Sequence, residues 1–141
     1  MSDLNGWIRQ FFDVYERANA EFDVAQIAAL YGDVFMFGGP PGAQAVRKAD
    51  FVRVLPKRKE FFKAAGLVSS RVASVEASAL DSKYTLAKAT WKMRFERAGA
   101  APIESDSFTT YVLSADGDSL HIIFQLDHRD LSAKVRELGL K

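Results

Sequence analysis

Leu4, Trp7, Ile8, Phe11, Phe12, Tyr15 and Ala18 recur at steps of three and four residues, with Arg9, Asp13, Glu16 and Arg17 between them. That period predicts an amphipathic first helix. A shorter helix follows. Asp23 is placed to cap it, Gln26 stands three residues on, and Phe22 and Ile27 flank the cap as a hydrophobic staple would. Gly32 ends it. Val34-Phe35-Met36-Phe37 reads as a short strand, and Gly38-Gly39-Pro40-Pro41-Gly42 then breaks regular structure. A third helix is expected from about Asp50 to Ala65, closed by Gly66. Pro56 should kink or split it, because it removes a backbone donor and crowds the preceding turn.

From Leu67 the period changes to two. Leu67–Leu80, Tyr84–Arg97, Ile103–Ser114 and Leu120–Asp127 are predicted as four strands of a meander. Turn signals stand at Asp81-Ser82, in the Gly99–Pro102 loop and at Asp116-Gly117. Two of these strands would run about twice the usual five or six residues. Strands of that length coil, so the sheet must curve. A closing helix is expected at the end, capped by Asp130, with Leu131, Val135 and Leu138 as its stripe and Gly139 as its stop. Helices first and a long antiparallel sheet second make a segregated α+β order over one domain spanning 1–141.

In the second long strand Ala87, Ala89, Trp91, Met93 and Phe95 alternate with Lys88, Thr90, Lys92, Arg94 and Glu96, so the odd positions are the covered face. A two-residue turn at Asp81-Ser82 would pair Trp91 with Val72, Met93 with Ser70, Phe95 with Val68 and, unfavourably, Arg71 with Lys92. The last hairpin is ambiguous. One face carries Tyr111, Leu113, Leu120, Ile122, Phe124 and Leu126; the other carries Phe108, Thr110, Val112, His121, Ile123, Gln125 and Asp127. Either the greasier face lies in the core, or the mixed face does, as an apolar wall with a few polar groups. The second arrangement is the one we expect. It leaves a greasy outer face that needs a partner.

Composition narrows the chemistry. Nineteen Lys+Arg against eighteen Asp+Glu leave +1, so no global field draws nucleic acid or acidic lipid. Cysteine is absent, which removes disulfides, thiolate metal sites and Cys nucleophiles together and suits a reducing, cytoplasmic setting. No stretch reads as a signal peptide or membrane span. The aromatic load is high for 141 residues: 11 Phe, 4 Tyr and 2 Trp.

The order of elements, the first-helix string Trp7-Ile8-Arg9-Gln10-Phe11-Phe12, the entry Ile27-Ala28-Ala29-Leu30-Tyr31-Gly32-Asp33 into a strand, and the hairpin Thr110-Tyr111-Val112-Leu113 to Asp127 resemble the nuclear-transport-factor-2-like superfamily. The SnoaL-like and ketosteroid-isomerase-like branches are the most similar. The resemblance covers nearly the whole chain. It implies a cystatin-like α+β roll: a cone-shaped, strongly bent antiparallel sheet covered by three N-terminal helices, with a pocket inside and a homodimer through the outer sheet face. It also implies a lyase or isomerase of cyclase or dehydratase type, acting on a hydrophobic carbonyl or polycyclic compound. The chain departs from the isomerase pattern where Gly38-Gly39 precede Pro40, since that branch carries a base carboxylate there. Tyr15 matches the branch's phenolic donor on the first helix.

The residues available for chemistry are therefore few. Tyr15, His121 and Asp106 are the candidates for acid–base work. Tyr15, Phe37, Trp91, Met93, Phe108, Thr110 and Gln125 are the expected ligand wall. Its expected ligand is a small apolar or aromatic molecule. Asp127 and His128 are neighbours at a strand end and should point to opposite faces, which argues against a dyad. His121 and His128 have no supporting carboxylate pattern, so neither a metal nor a cofactor is expected. Arg53, Lys57, Arg58, Lys59 and Lys63 read as the solvated face of the third helix. The glycine-rich loop lacks the Lys-Ser/Thr that a phosphate cradle needs.

Overall fold

The computed structural model describes residues 4–128, so the expected closing helix lies outside the described residues. The order is α1 (Leu4–Glu21), α2 (Val24–Ala29), β1 (Tyr31–Gly39), β2 (Gly42–Arg47), α3 (Lys48–Ala64), β3 (Leu67–Ala79), β4 (Tyr84–Phe95), β5 (Ile103–Asp116) and β6 (Ser119–Asp127). The strands form one curled, unclosed sheet in the order β2-β1-β6-β5-β4-β3.

All three helices form where the periodicity puts them. Ile8, Phe11, Phe12 and Ala18 are the buried stripe of α1. Asp23 caps α2, its carboxylate accepting from Gln26 N at 3.1 Å. Pro56 neither splits nor ends α3, which runs from Lys48 to Ala64. Pro56 is exposed, so solvent can serve the carbonyl that it leaves without a donor. Gly66 is required where α3 stops. Its φ is +95°, and a Cβ there would meet Glu96 O at 2.6 Å.

Two expectations about the sheet are corrected. The Gly/Pro run is a hairpin turn, and the residues after it form β2, which pairs antiparallel with β1 from Gly39↔Gly42 to Val34↔Arg47. Ala43, Gln44 and Ala45 lack an alternating pattern because β2 is an exposed edge strand with neither face deeply covered. The sheet is also not wholly antiparallel, since β1 pairs parallel with β6. That contact joins distant parts of the chain, and no turn signal records it.

The β3–β4 hairpin shows how two irregularities cancel. Near the turn the pairs run Ala79↔Thr85 to Ser74↔Thr90, one residue off the expected register. A bulge at Ala73 restores it, giving Val72↔Trp91, Arg71↔Lys92 and Ser70↔Met93 as expected. A second irregularity then sets Phe95 opposite Leu67 rather than Val68. Beside the first bulge, Glu16 of α1 accepts from Val72 N at 2.8 Å and so occupies a donor on the edge strand. The like-charged Arg71–Lys92 pair is relieved from the other side, where Lys92 Nζ lies 3.1 Å from Asp106 Oδ1 on β5.

The last hairpin resolves the choice of faces against both alternatives. Leu113 pairs with Ile122, but Val112 pairs with Phe124, so Ile123 is an extra residue. A bulge switches which alternate side chains face the core. Leu120 and Ile122 are buried before it, and Gln125 and Asp127 after it. The inner face therefore draws on both expected sets, Tyr111, Leu113, Leu120 and Ile122 from the greasier one and Gln125 and Asp127 from the mixed one, with Thr109, which stood in neither; all seven are buried. The expectation that the mixed face as a whole points inward is corrected.

A buried hydrogen-bond chain in an aromatic interior

Three tyrosines meet inside the sheet. Tyr15 comes from the buried side of α1, Tyr31 from the first position of β1 and Tyr111 from the middle of β5. Their rings pack with Phe12, Phe35, Phe51 and Trp91. Tyr15 lies 5.3 Å from Trp91, and Tyr31 lies 4.6 Å from both Phe35 and Phe51, centroid to centroid. These offset and tilted contacts suit aromatic quadrupoles.

The hydroxyls form one directed chain. Trp91 Nε1 donates to Tyr111 Oη at 3.2 Å. Tyr31 Oη donates to Gln125 Oε1 at 2.6 Å, so in its 3.1 Å bond with Tyr15 it must accept. Tyr15 has then committed its proton to Tyr31, and the Tyr111 hydroxyl is the donor that remains beside the Tyr15 oxygen, the two rings packed edge to face at 6.0 Å. The Gln125 amide passes the polarity on, its Nε2 donating to Asp127 Oδ1 at 3.4 Å. Thr109 Oγ1 donates to the same oxygen at 3.2 Å. Every donor from Trp91 onward thus points toward the Asp127 carboxylate. Among the described residues no buried side-chain polar atom lacks a partner. Such chains polarise cooperatively in a low-dielectric interior.

Burial sets the electrostatics. It pushes the Asp127 carboxyl up from the ordinary carboxylate range, against the opposing pull of the Arg58 charge and the bonds from Gln125 and Thr109. It pushes Tyr31 and Tyr111 well above the ordinary phenol value. Tyr15 is raised less, because the hydroxyls of Tyr31 and Tyr111 beside its oxygen favour its ionised form. A phenol held between two phenols, linked through an amide to a carboxyl with raised proton affinity, can stabilise negative charge at one end and exchange a proton at the other.

Of the expected wall, Tyr15, Trp91 and Gln125 fall in this chain. Phe37 pairs with Gln125 across the parallel ladder and packs against the same core. Met93 is buried one inward position beyond Trp91, in a second cluster with Phe62, Ala65 and Phe95. Phe108 and Thr110 stand on the outer face. Phe108 is 49% exposed, and Thr110 Oγ1 lies 2.7 Å from His128 Nε2. The acid–base candidates are likewise divided by the sheet. Tyr15 is inside, whereas Asp106 is exposed and bridged to Lys92, and His121 pairs with Ser114 on the outer side. Asp127 and His128 do point apart. Tyr31, Tyr111, Thr109 and Asp127 went unselected in the sequence. The sequence carried no signal for the two tyrosines among them: Tyr31 closed the expected second helix, and Tyr111 stood on the hairpin face expected to point outward.

Comparisons with known proteins follow the fold. A search of the curated proteins gives no match. Among solved structures, ActVI-ORFA from Streptomyces coelicolor superposes with a TM-score of 0.71 at 19% identity, over 91% of this chain and 98% of that one. A ketosteroid isomerase-like protein from Erwinia carotovora atroseptica gives 0.68 at 14% identity, over 90% and 95%. An NTF2-like protein with a cystatin-like fold from Novosphingobium aromaticivorans gives 0.72 at 12% identity, over 95% and 87%. At these identities the likeness is one of fold. The family model described as "NTF2-like protein (DUF6841)" matches residues 2–130, so nearly all of the chain, and the protein belongs to that NTF2-like family.

Proposed function

We propose that this protein binds a small apolar or aromatic molecule against the inner face of its sheet, with the Tyr31–Gln125–Asp127 end of the hydrogen-bond chain receiving the ligand's polar group. The observation that carries this reading is the chain itself. A domain that needed only a core would not thread a carboxylate, an amide and three phenols through its interior, because each costs desolvation free energy. A few convergent polar groups in an aromatic wall are what a small-molecule site uses for orientation. The test is a thermal-shift screen of bicyclic aromatic alcohols, ketones and acids. Compounds that stabilise the native chain, and lose that effect in Tyr31→Phe and Gln125→Leu, support the reading. A screen in which no compound shifts the transition counts against it.

The link from Tyr15 through Tyr31 and Gln125 to Asp127 favours a second reading, a lyase or isomerase acting on a hydrophobic carbonyl compound. Tyr15 would hold the enolate oxygen while Asp127 takes or returns the proton. Here Asp127 assumes the role first considered for Asp106 and His121. Solvent deuterium entering the α-position of a cyclic ketone, and ceasing to enter with Asp127→Asn, would support it. Uptake no faster than in buffer would remove it.

The outer sheet face supports a homodimer. Val34, Met36 and Phe108 are exposed there at 58%, 38% and 49%, beside the half-buried Val112, Phe124 and Leu126. Contiguous apolar surface of this kind marks interfaces. Light scattering at tens of micromolar should give twice the chain mass, and Phe108→Glu should lower it.

A further inference from the structure

The interior is not one continuous apolar mass. A first cluster holds Tyr31, Phe35, Leu55, Trp91, Tyr111 and Leu113 among others; a second holds Phe62, Ala65, Met93 and Phe95, with Ile103 against it. Along β5 the residues between the two are polar: Ser105, Ser107 and Thr109 lie between Ile103 and Tyr111 on the inward side. Among the described residues, Ser107, Thr109, Gln125 and Asp127 are four of the five buried polar residues, all on β5 and β6. Along α3 the stripe facing the sheet reads Phe51, Leu55, Arg58, Phe62, and its one charged member falls at the same break. Arg58 lays its guanidinium over the Phe62 ring, 5.2 Å from the centroid, and makes no ion pair among the described residues. It is exposed, so it stands at the rim with its stem on the apolar stripe.

We propose that Arg58 is the specificity-determining residue of this site and selects ligands that carry a carboxylate on an aromatic or apolar body. The inference rests on the small-molecule reading above. The body lies against the Trp91–Tyr15 wall, and the carboxylate faces the guanidinium held by Phe62. The charge of Arg58 reaches the groups of the inner face, where it favours the ionised forms of Asp127, Tyr15 and Tyr31. A planar guanidinium already oriented by stacking loses little freedom on receiving a carboxylate in bidentate fashion. The neighbouring cations differ. Arg53 pairs with Asp50, and Lys59 lies over Phe22, away from the break.

The probes are 2-naphthoate and its neutral isostere 2-naphthamide, titrated calorimetrically at low salt into the full chain. The expected result is naphthoate binding about five- to tenfold tighter than the amide, the range of one charge-assisted contact. Arg58→Met, which keeps an apolar stem on Phe62, should bring the two affinities to within about twofold while the amide's stays unchanged. Arg58→Lys should retain part of the preference, showing that charge rather than folding is responsible. Equal affinities in the native chain, or a preference that survives Arg58→Met, overturn the role of Arg58 and leave the small-molecule site standing. Binding of neither probe overturns both.

Discussion

The Tyr31 hydroxyl donates to Gln125 Oε1 across 2.6 Å, joining the first residue of β1 to the inward end of β6. Both side chains are buried, and each has a second partner in the same chain. Tyr31→Phe leaves the amide oxygen and the Tyr15 proton without their partner, and should cost about 1–3 kcal/mol in urea unfolding. The double variant with Gln125→Met should lose less than the sum of the two single losses. Additive losses would show that the contact carries no coupling.

Asp127 should weaken the fold at neutral pH. Its folded proton affinity is raised, so between the unfolded carboxylate value and the folded one the native state binds more protons than the unfolded state. Stability therefore falls as pH rises through that window, and the penalty is full above the folded value. Asp127→Asn keeps the oxygen that Gln125 and Thr109 bond, and should stabilise the protein at pH 7 by on the order of 1 kcal/mol. The gain should shrink steadily as pH is lowered toward about 4. Urea midpoints for both chains across pH 4 to 8 measure it, and a gain independent of pH would contradict the assignment.

The alkaline limb has its own order. Tyr15, Tyr31 and Tyr111 are all raised by burial, so the unfolded chain releases these protons first, and stability falls as pH rises above about 10. Their phenolate absorbance should appear later than in the urea-unfolded protein, with Tyr15 ionising before its two neighbours. Tyr15→Phe should remove the earliest delayed component of the ultraviolet titration. Loss of a later component instead would reverse the order.

Ile123 is the residue on which the polar end of the site depends. Without it, β6 would continue its alternation, and a one-residue slip would turn Gln125 and Asp127 to the outer face or Leu120 and Ile122 out of the core. Deleting Ile123 should abolish the cooperative unfolding transition, whereas Ile123→Val should leave it within about 1.5 kcal/mol of the native chain. A deletion variant with native near-ultraviolet circular dichroism would show that the bulge is dispensable.

Local patterns were sufficient where one face of an element is covered. The stripe Ile8-Phe11-Phe12 defines α1, Asp23 places the start of α2, and the alternation from Ala87 to Phe95 defines the inward side of β4. They failed where the deciding interaction is distant or where alternation is interrupted. Pairing of β1 with β6 joins Tyr31 to Ile122, and no residue near either records it. The edge strand β2 has little buried surface to impose a pattern.

The site divides along the same line. Sequence alone determined that aromatic side chains from α1, β1 and β4 would face a common interior, because burial demands a period and the period is visible. Tertiary structure decided which polar groups join them. A single extra residue at Ile123 reverses the alternation in the middle of β6, bringing Gln125 and Asp127 inward while His121 and Phe124 face out. A bulge costs the ladder little and has no compositional signature, so only the paired strands reveal it.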